Sequence, residues 1–168
     1  MSQTVKRHCL AVLVLNEPGV LARVVGLFSG RGYNIESLAV AEVDVERRFS
    51  RITLVTSGTN DIVDQIKAQL GRLVPVLRIV NLGESGEWVE REAALVKLLA
   101  QGQSRAEALR IAASFGAQPI QPHATPVIFQ MMDAPDAIDK FIAAVTPHGL
   151  IEVARTGTVG IAADVKTL

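Results

Sequence analysis

The sequence predicts an α+β chain built from two tandem ferredoxin-like units, each with the order β-α-β-β-α-β. Three observations predict it. Short apolar runs alternate with segments of helical spacing through the first half of the chain. A glycine-containing stretch, "GESGE" at 83–87, reads as a linker, after which the same alternation begins again. Hydrophobic residues make up 49% of the 168 positions and charged residues 20%, enough apolar material for packed cores.

Taken in order, the run 8–15 is almost wholly apolar and ends at "NEPG", as a buried strand stopped by a turn does. From Val20, apolar residues recur at Val24 and Leu27, with Leu21, Val25 and Phe28 beside them, which is helical spacing. That helix ends near "GRG", where Gly30 or Gly32 can take a left-handed conformation. "YNIESLAVAEV" and "RITLVT" then read as strands joined by the charged segment 44–48. Thr59 or Asn60 caps a second helix with Ile62, Val63, Ile66, Leu70 and Leu73 on one face, and "VPVLRIVNL" closes the unit as a strand. In the second half, "WVEREAALVKLLA" reads as a strand, and "SRAE" at 104–107 matches a capping box at a helix start. "AQPIQ" and "TPVIFQMM" read as strands. Asp133 or Asp136 caps a helix with Ile138, Phe141, Ile142 and Val145 on one face, and "LIEVARTGTVGI" supplies one last strand.

Composition excludes several function classes. Lysine plus arginine equals aspartate plus glutamate at 17 each, which argues against a nucleic-acid or anionic-membrane partner. No apolar run approaches the roughly 20 residues of a membrane span. The start "MSQTVKRHC" carries no small-residue cleavage site, and the single cysteine offers no disulfide framework, so a cytoplasmic location is expected. Cys9 sits in "CLAVLVL" and is expected to be a buried structural thiol.

Catalytic constellations are scarce. "GLFSGRG" has its glycines in the wrong order for a dinucleotide fingerprint, there is no P-loop, and no Cys or His pair has metal-ligand spacing. His8, His123 and His148 are scattered and read as surface or turn residues. Glu90 and Glu92 share one face of a presumed strand, which a solvated face explains as well as acid-base work does. The expectation is no catalytic residue, no metal and no cofactor on this chain.

What remains is "NEPGVLARVVGLFSGRGYNIESL" at 16–38. A helix starting just after Pro18-Gly19 presents free amides at Gly19, Val20 and Leu21, a small anion site suited to a carboxylate. Asn16 ends the first strand beside it, and Asn34 follows the helix. A neutral amide offers an acceptor to an ammonium and donors to a carboxylate, so two Asn can hold a zwitterion. On spacing alone, "NEPG" can also be a plain turn and Asn34 a cap residue.

These residues resemble the ligand loop of ACT domains, ferredoxin-like modules that bind small amino acids. With "SRITLVTSG", "IKAQLGRLVPVLRIVNL", "VEREAALVKL" and "IEVARTGTVGI", the chain resembles more narrowly the small regulatory subunit of acetolactate synthase (acetohydroxyacid synthase). The resemblance implies an ACT domain over 1–82, for effector binding and dimerisation, and a C-terminal ferredoxin-like domain over 83–168. It implies a homodimer or higher homo-oligomer and a large catalytic subunit that carries thiamine diphosphate, magnesium and a flavin. The small subunit would activate that partner and confer feedback inhibition by valine, with leucine and isoleucine as competing effector choices. Carried onto this sequence, Asn16 and the amides of Gly19, Val20 and Leu21 hold the effector from one protomer, while Asn34 and Ile35 complete the site from the other. The segment 118–137, with "MMDAPD", departs from the family pattern, and the tail "AADVKTL" is short. A free-standing tandem ACT sensor in gene regulation is the alternative. It would want a second ligand loop, which "LLAQGQSRAEAL" does not supply.

Overall fold

The computed structural model describes residues 4–84, 86–164 and 168. Residues 1–3 at the start, Ser85 of the expected linker and 165–167 in the tail lie outside the described residues. The chain divides into two units, Met1–Val89 with Thr158–Leu168, and Glu90–Gly157.

In the first unit, β1 (Lys6–Leu15) leads to α1 (Val20–Ser29), then to the hairpin β2 (Ser37–Asp44) and β3 (Phe49–Gly58), α2 (Asn60–Leu70) and β4 (Val76–Asn81). The sheet order is β2-β3-β1-β4 with antiparallel neighbours, the arrangement that β-α-β-β-α-β connections produce. Strand alternation sends Leu10, Val12, Val14, Ile52 and Leu54 to one face, where Val24, Phe28, Val63, Ile66 and Leu70 of the helices cover them. Each such side chain contributes about 1.5–3 kcal/mol when fully buried. The expected helical spacing is therefore the core stripe. Thr59 is the cap of α2, its hydroxyl accepting from the Ile62 amide at 3.4 Å, and Asn60 is the first helical residue. At the end of α1, Gly30 stays right-handed while Gly32 takes φ 70°.

The opposite face of this sheet is partly covered by the chain itself. Cys9, Ala11 and Val55 cluster with Leu82, and Val80, Trp88 and Ala162 pack against them. Cys9 is buried and in no disulfide, as expected.

The second unit repeats the plan with β5 (Trp88–Leu98), which begins just before the unit boundary, α3 (Gly102–Ser114), β6 (Gln118–Pro119), β7 (Val127–Asp133), α4 (Pro135–Val145) and β8 (Leu150–Arg155). Its order β6-β7-β5-β8 mirrors the first sheet. Val96, Leu98, Phe129, Ile138, Phe141 and Val145 form its core.

Four expectations need correction here. The last strand is two, β8 and β9 (Val159–Ala162), because Gly157 at φ 82° breaks the extension; β9 pairs with β5. Consequently the units differ from the expected limits 1–82 and 83–168: Leu82 and Trp88 are anchored on the first sheet, and the chain re-enters the first unit at Thr158. Ser104 does not open a capping box, since α3 starts two residues earlier after Gln101, with no side-chain cap, and Glu107 bonds Arg110 instead. Neither Asp133 nor Asp136 caps α4. Ala134 holds the cap position, Asp133 accepts from the adjacent Ala134 amide at 2.7 Å, and Asp136 pairs with Lys140.

Candidate functional site

The turn "NEPG" delivers the chain from β1 into α1 through Gly19, whose φ of 82° and ψ of 0° lie in the left-handed region. Glycine is needed here for its torsion angles, because only a residue without Cβ adopts them freely. A Cβ at this position would meet nothing within 4 Å, so the space before the helix is open. The Val20 amide donates to the Glu17 carbonyl at 3.2 Å, which corrects the expectation that it is free. Among the described residues, the amides of Gly19, Leu21 and Ala22 take no hydrogen-bond partner, and the first helical bond runs from Arg23 to the Gly19 carbonyl at 3.0 Å. No acidic residue lies in the first turn to neutralise the positive end of the helix dipole. The arrangement can accept a carboxylate at Gly19, Leu21 and Ala22.

Asn16 lies next to this turn, held by its backbone amide to the Arg48 carbonyl at 2.7 Å and by the Arg48 guanidinium on its own carbonyl at 3.3 Å. Its side-chain Nδ2 donates to Glu42 Oε1 at 3.2 Å, which leaves Oδ1 to accept from an ammonium. Glu42 and Arg48 were not among the sequence candidates. The signal that could have found them is the hairpin itself: β2 and β3 fold back so that their turn reaches the end of β1. Arg48 at φ 55° tightens that turn, and the Arg47 amide bonds Asp44 at 2.9 Å.

Asn34 and Ile35 lie at the other end of the sheet. The Asn34 carbonyl accepts from the buried Thr56 hydroxyl at 2.7 Å, its side chain is exposed, and Ile35 packs against the helix-side core. Thr56 pairs with His8, whereas Asn16 follows Leu15. Eight residues of strand at about 3.3 Å each separate the two levels, about 25 Å in all. One chain therefore does not bring Asn16 and Asn34 into a single small-molecule site.

Two groups read as solvated are buried. His8 is enclosed, with Nε2 3.2 Å from the Gly58 carbonyl and Nδ1 3.1 Å from Asn81 Nδ2, the geometry of a ring that donates through Nε2 and accepts at Nδ1. Glu92 is 5% exposed and receives two bonds from Arg155, at 2.9 and 2.7 Å. The bond to Glu92 raises the Arg155 pKa above its ordinary value. This pair is a structural brace of the second sheet, not an acid-base dyad. His123 is exposed and His148 lies in the turn after α4, as expected.

A βαββαβ unit whose first helix opens on unpaired amides has the plan of an ACT domain, here followed by a second ferredoxin-like unit. Residues 10–78 match the family described as the AHAS small subunit-like ACT domain, and residues 91–164 match the small subunit of acetolactate synthase. The chain is 44% identical to the acetolactate synthase isozyme 3 small subunit of Salmonella typhimurium, over 96% of this chain and 99% of that one. It is 42% identical to the Escherichia coli isozyme 3 small subunit with the same coverage. The crystal structure of the acetolactate synthase small subunit from Thermotoga maritima superposes with a TM-score of 0.83 at 30% identity, covering 93% of this chain and 96% of that one. The chain belongs to the family of acetolactate synthase small subunits, the regulatory subunits of that enzyme of branched-chain amino acid biosynthesis.

Proposed function

We propose that this chain is a non-catalytic subunit that activates a large acetolactate synthase subunit and makes it sensitive to valine. The observation that carries the reading is the open, unneutralised helix start at Gly19, inside the segment that matches the ACT domain of this family. Thiamine diphosphate, magnesium and flavin reside on the large subunit, and the chemistry of pyruvate condensation is theirs. The small chain supplies an effector site. The valine carboxylate lies against the Gly19 and Leu21 amides, and its ammonium faces Asn16 Oδ1 with Glu42 behind. Asn34 and Ile35 of a second protomer close the site, which the separation of the two Asn within one chain supports. The edge strand β2 leaves Val40 and Val43 substantially exposed, which favours a homodimer.

Inhibition requires that valine prefer one state of the complex. A coupling of about 1–3 kcal/mol is typical, and it is reciprocal, so the large subunit must alter valine affinity by the same factor. The test measures pyruvate condensation by the purified small chain, the large subunit and their mixture. No turnover by the small chain and a higher rate for the mixture support the reading. Turnover by the small chain alone, or a mixture no faster than the large subunit, refutes it.

A further inference from the structure

The two protomer-closing residues, Asn34 and Ile35, stand immediately before a contact on the covered face of the same sheet. Residues 34–36 are pinned to the end of β3, by the Thr56 hydroxyl on the Asn34 carbonyl at 2.7 Å and by the Glu36 amide on the Val55 carbonyl at 2.8 Å. The next residue, Ser37, opens β2 opposite Val55. Its hydroxyl oxygen accepts a 2.7 Å hydrogen bond from the backbone amide of Thr158, which is 2% exposed. Thr158 is the first residue after Gly157, where the chain returns from the second unit to the first.

The returning segment is held at three further points. Arg51, whose pKa burial lowers, donates from its half-buried guanidinium to the Gly160 carbonyl. Gly160 lies so close to the sheet cover that a Cβ there would stand 2.8 Å from Leu82 Cδ1 and 3.1 Å from the Trp88 ring. The Ala163 amide donates to the Glu87 carbonyl at 2.8 Å. Of these ties, only the one at Ser37 is continuous in sequence with the effector loop.

We propose that Ser37 is the coupling residue of this regulator: its bond to Thr158 transmits occupancy of the 34–35 loop to the segment by which the chain leaves and re-enters its C-terminal unit. The inference rests on the effector reading above and assigns it a route. A buried amide has two discrete conditions, paired or unpaired, and an effector that shifts the start of β2 biases that choice. Ser37 is a positioning residue and touches no effector atom.

Ser37→Ala removes the acceptor while leaving the effector contacts intact. The expected result is a split. Calorimetric valine affinity of the purified small chain stays within about twofold, while the reconstituted enzyme needs at least about fivefold more valine for half inhibition, the low end of typical allosteric couplings. Ser37→Thr retains the hydroxyl and retains inhibition. Arg51→Met, which loosens the same segment at its second tie, reproduces the split. On the unaltered chain, saturating valine changes amide hydrogen exchange in 158–162, a readout that needs no variant and no partner. Inhibition of Ser37→Ala equal to wild type overturns the proposal, as does parallel loss of binding and inhibition, or valine binding with unchanged exchange at 158–162. An unaltered chain that binds no valine refutes the effector reading itself, and the coupling with it.

Discussion

Replacing Gly19 with Asp separates a binding loop from a mere turn. The position has φ 82°, and an added Cβ meets nothing within 4 Å, so the cost to the fold is torsional strain, not collision. A side chain in the left-handed region costs about 1–2 kcal/mol, less for Asp, which bonds locally in that conformation. A carboxylate near the helix start returns about 0.3–1 kcal/mol through the dipole. The net loss is therefore about 1 kcal/mol or less, a fall of roughly 2–4 °C at most in the melting temperature of a chain this long. The side chain cannot act as a regular N-cap, because capping residues have extended torsion angles and this one does not. It does place a negative charge before the amides of Leu21 and Ala22. Each hydrogen bond to a charged ligand group contributes about 1.5–3 kcal/mol, so losing one weakens valine about tenfold to a hundredfold. Gly19→Ala is the control, with comparable strain and no charge, and it retains more valine sensitivity than Asp. The assay follows melting, activation of the large subunit and valine inhibition on one preparation. A folded Gly19→Asp chain that still confers inhibition within about twofold of wild type refutes the placement of the carboxylate at this helix start.

Further outcomes follow from other sites. Asn34→Ala removes an exposed amide and buries nothing, so activation persists while the half-inhibitory valine concentration rises about tenfold or more; unchanged sensitivity excludes Asn34 from the site. A shared site makes dimer stability rise with valine, so light scattering at micromolar concentration detects a dimer that valine stabilises; a monomer indifferent to valine contradicts the shared site. Arg155→Met leaves the buried Glu92 carboxylate without its two-point partner and costs about 3–5 kcal/mol in denaturant unfolding. Adding Glu92→Met restores most of that loss, and a double variant as weak as the single contradicts a structural brace.

What was legible in the sequence is what neighbours along the chain determine. The spacing Val20, Val24, Leu27 and Ile62, Val63, Ile66, Leu70 finds the helical faces that meet the core, although Phe28 and not Leu27 is the fully buried residue of the first, and the run 8–15 names β1, because periodicity reports a face toward the core. Thr59 was a candidate cap because its partner is three residues away. Local signals misled where a stronger local geometry stood beside them. The "SRAE" box lost to a helix already begun at Gly102, and Gly157 cut the expected last strand "LIEVARTGTVGI" into two. Illegible were the pairings made at long range. Glu92 looked solvated because its partner Arg155 is 63 residues away, and His8 looked exposed because Gly58 and Asn81 close over it only after folding. Of the candidate site, the glycine and its open amides were readable from the turn. The Val20 amide was not, since its bond to Glu17 depends on the turn's curvature, and Glu42 and Arg48 reach Asn16 only through the β2–β3 hairpin.

The most direct test of the central claim is a valine titration of pyruvate condensation by the large subunit, with and without saturating amounts of this chain. The account predicts that the large subunit alone is insensitive, and that adding this chain both raises the rate and introduces saturable inhibition by valine. Equal valine inhibition with and without the chain, or a faster complex that valine leaves untouched, would contradict it.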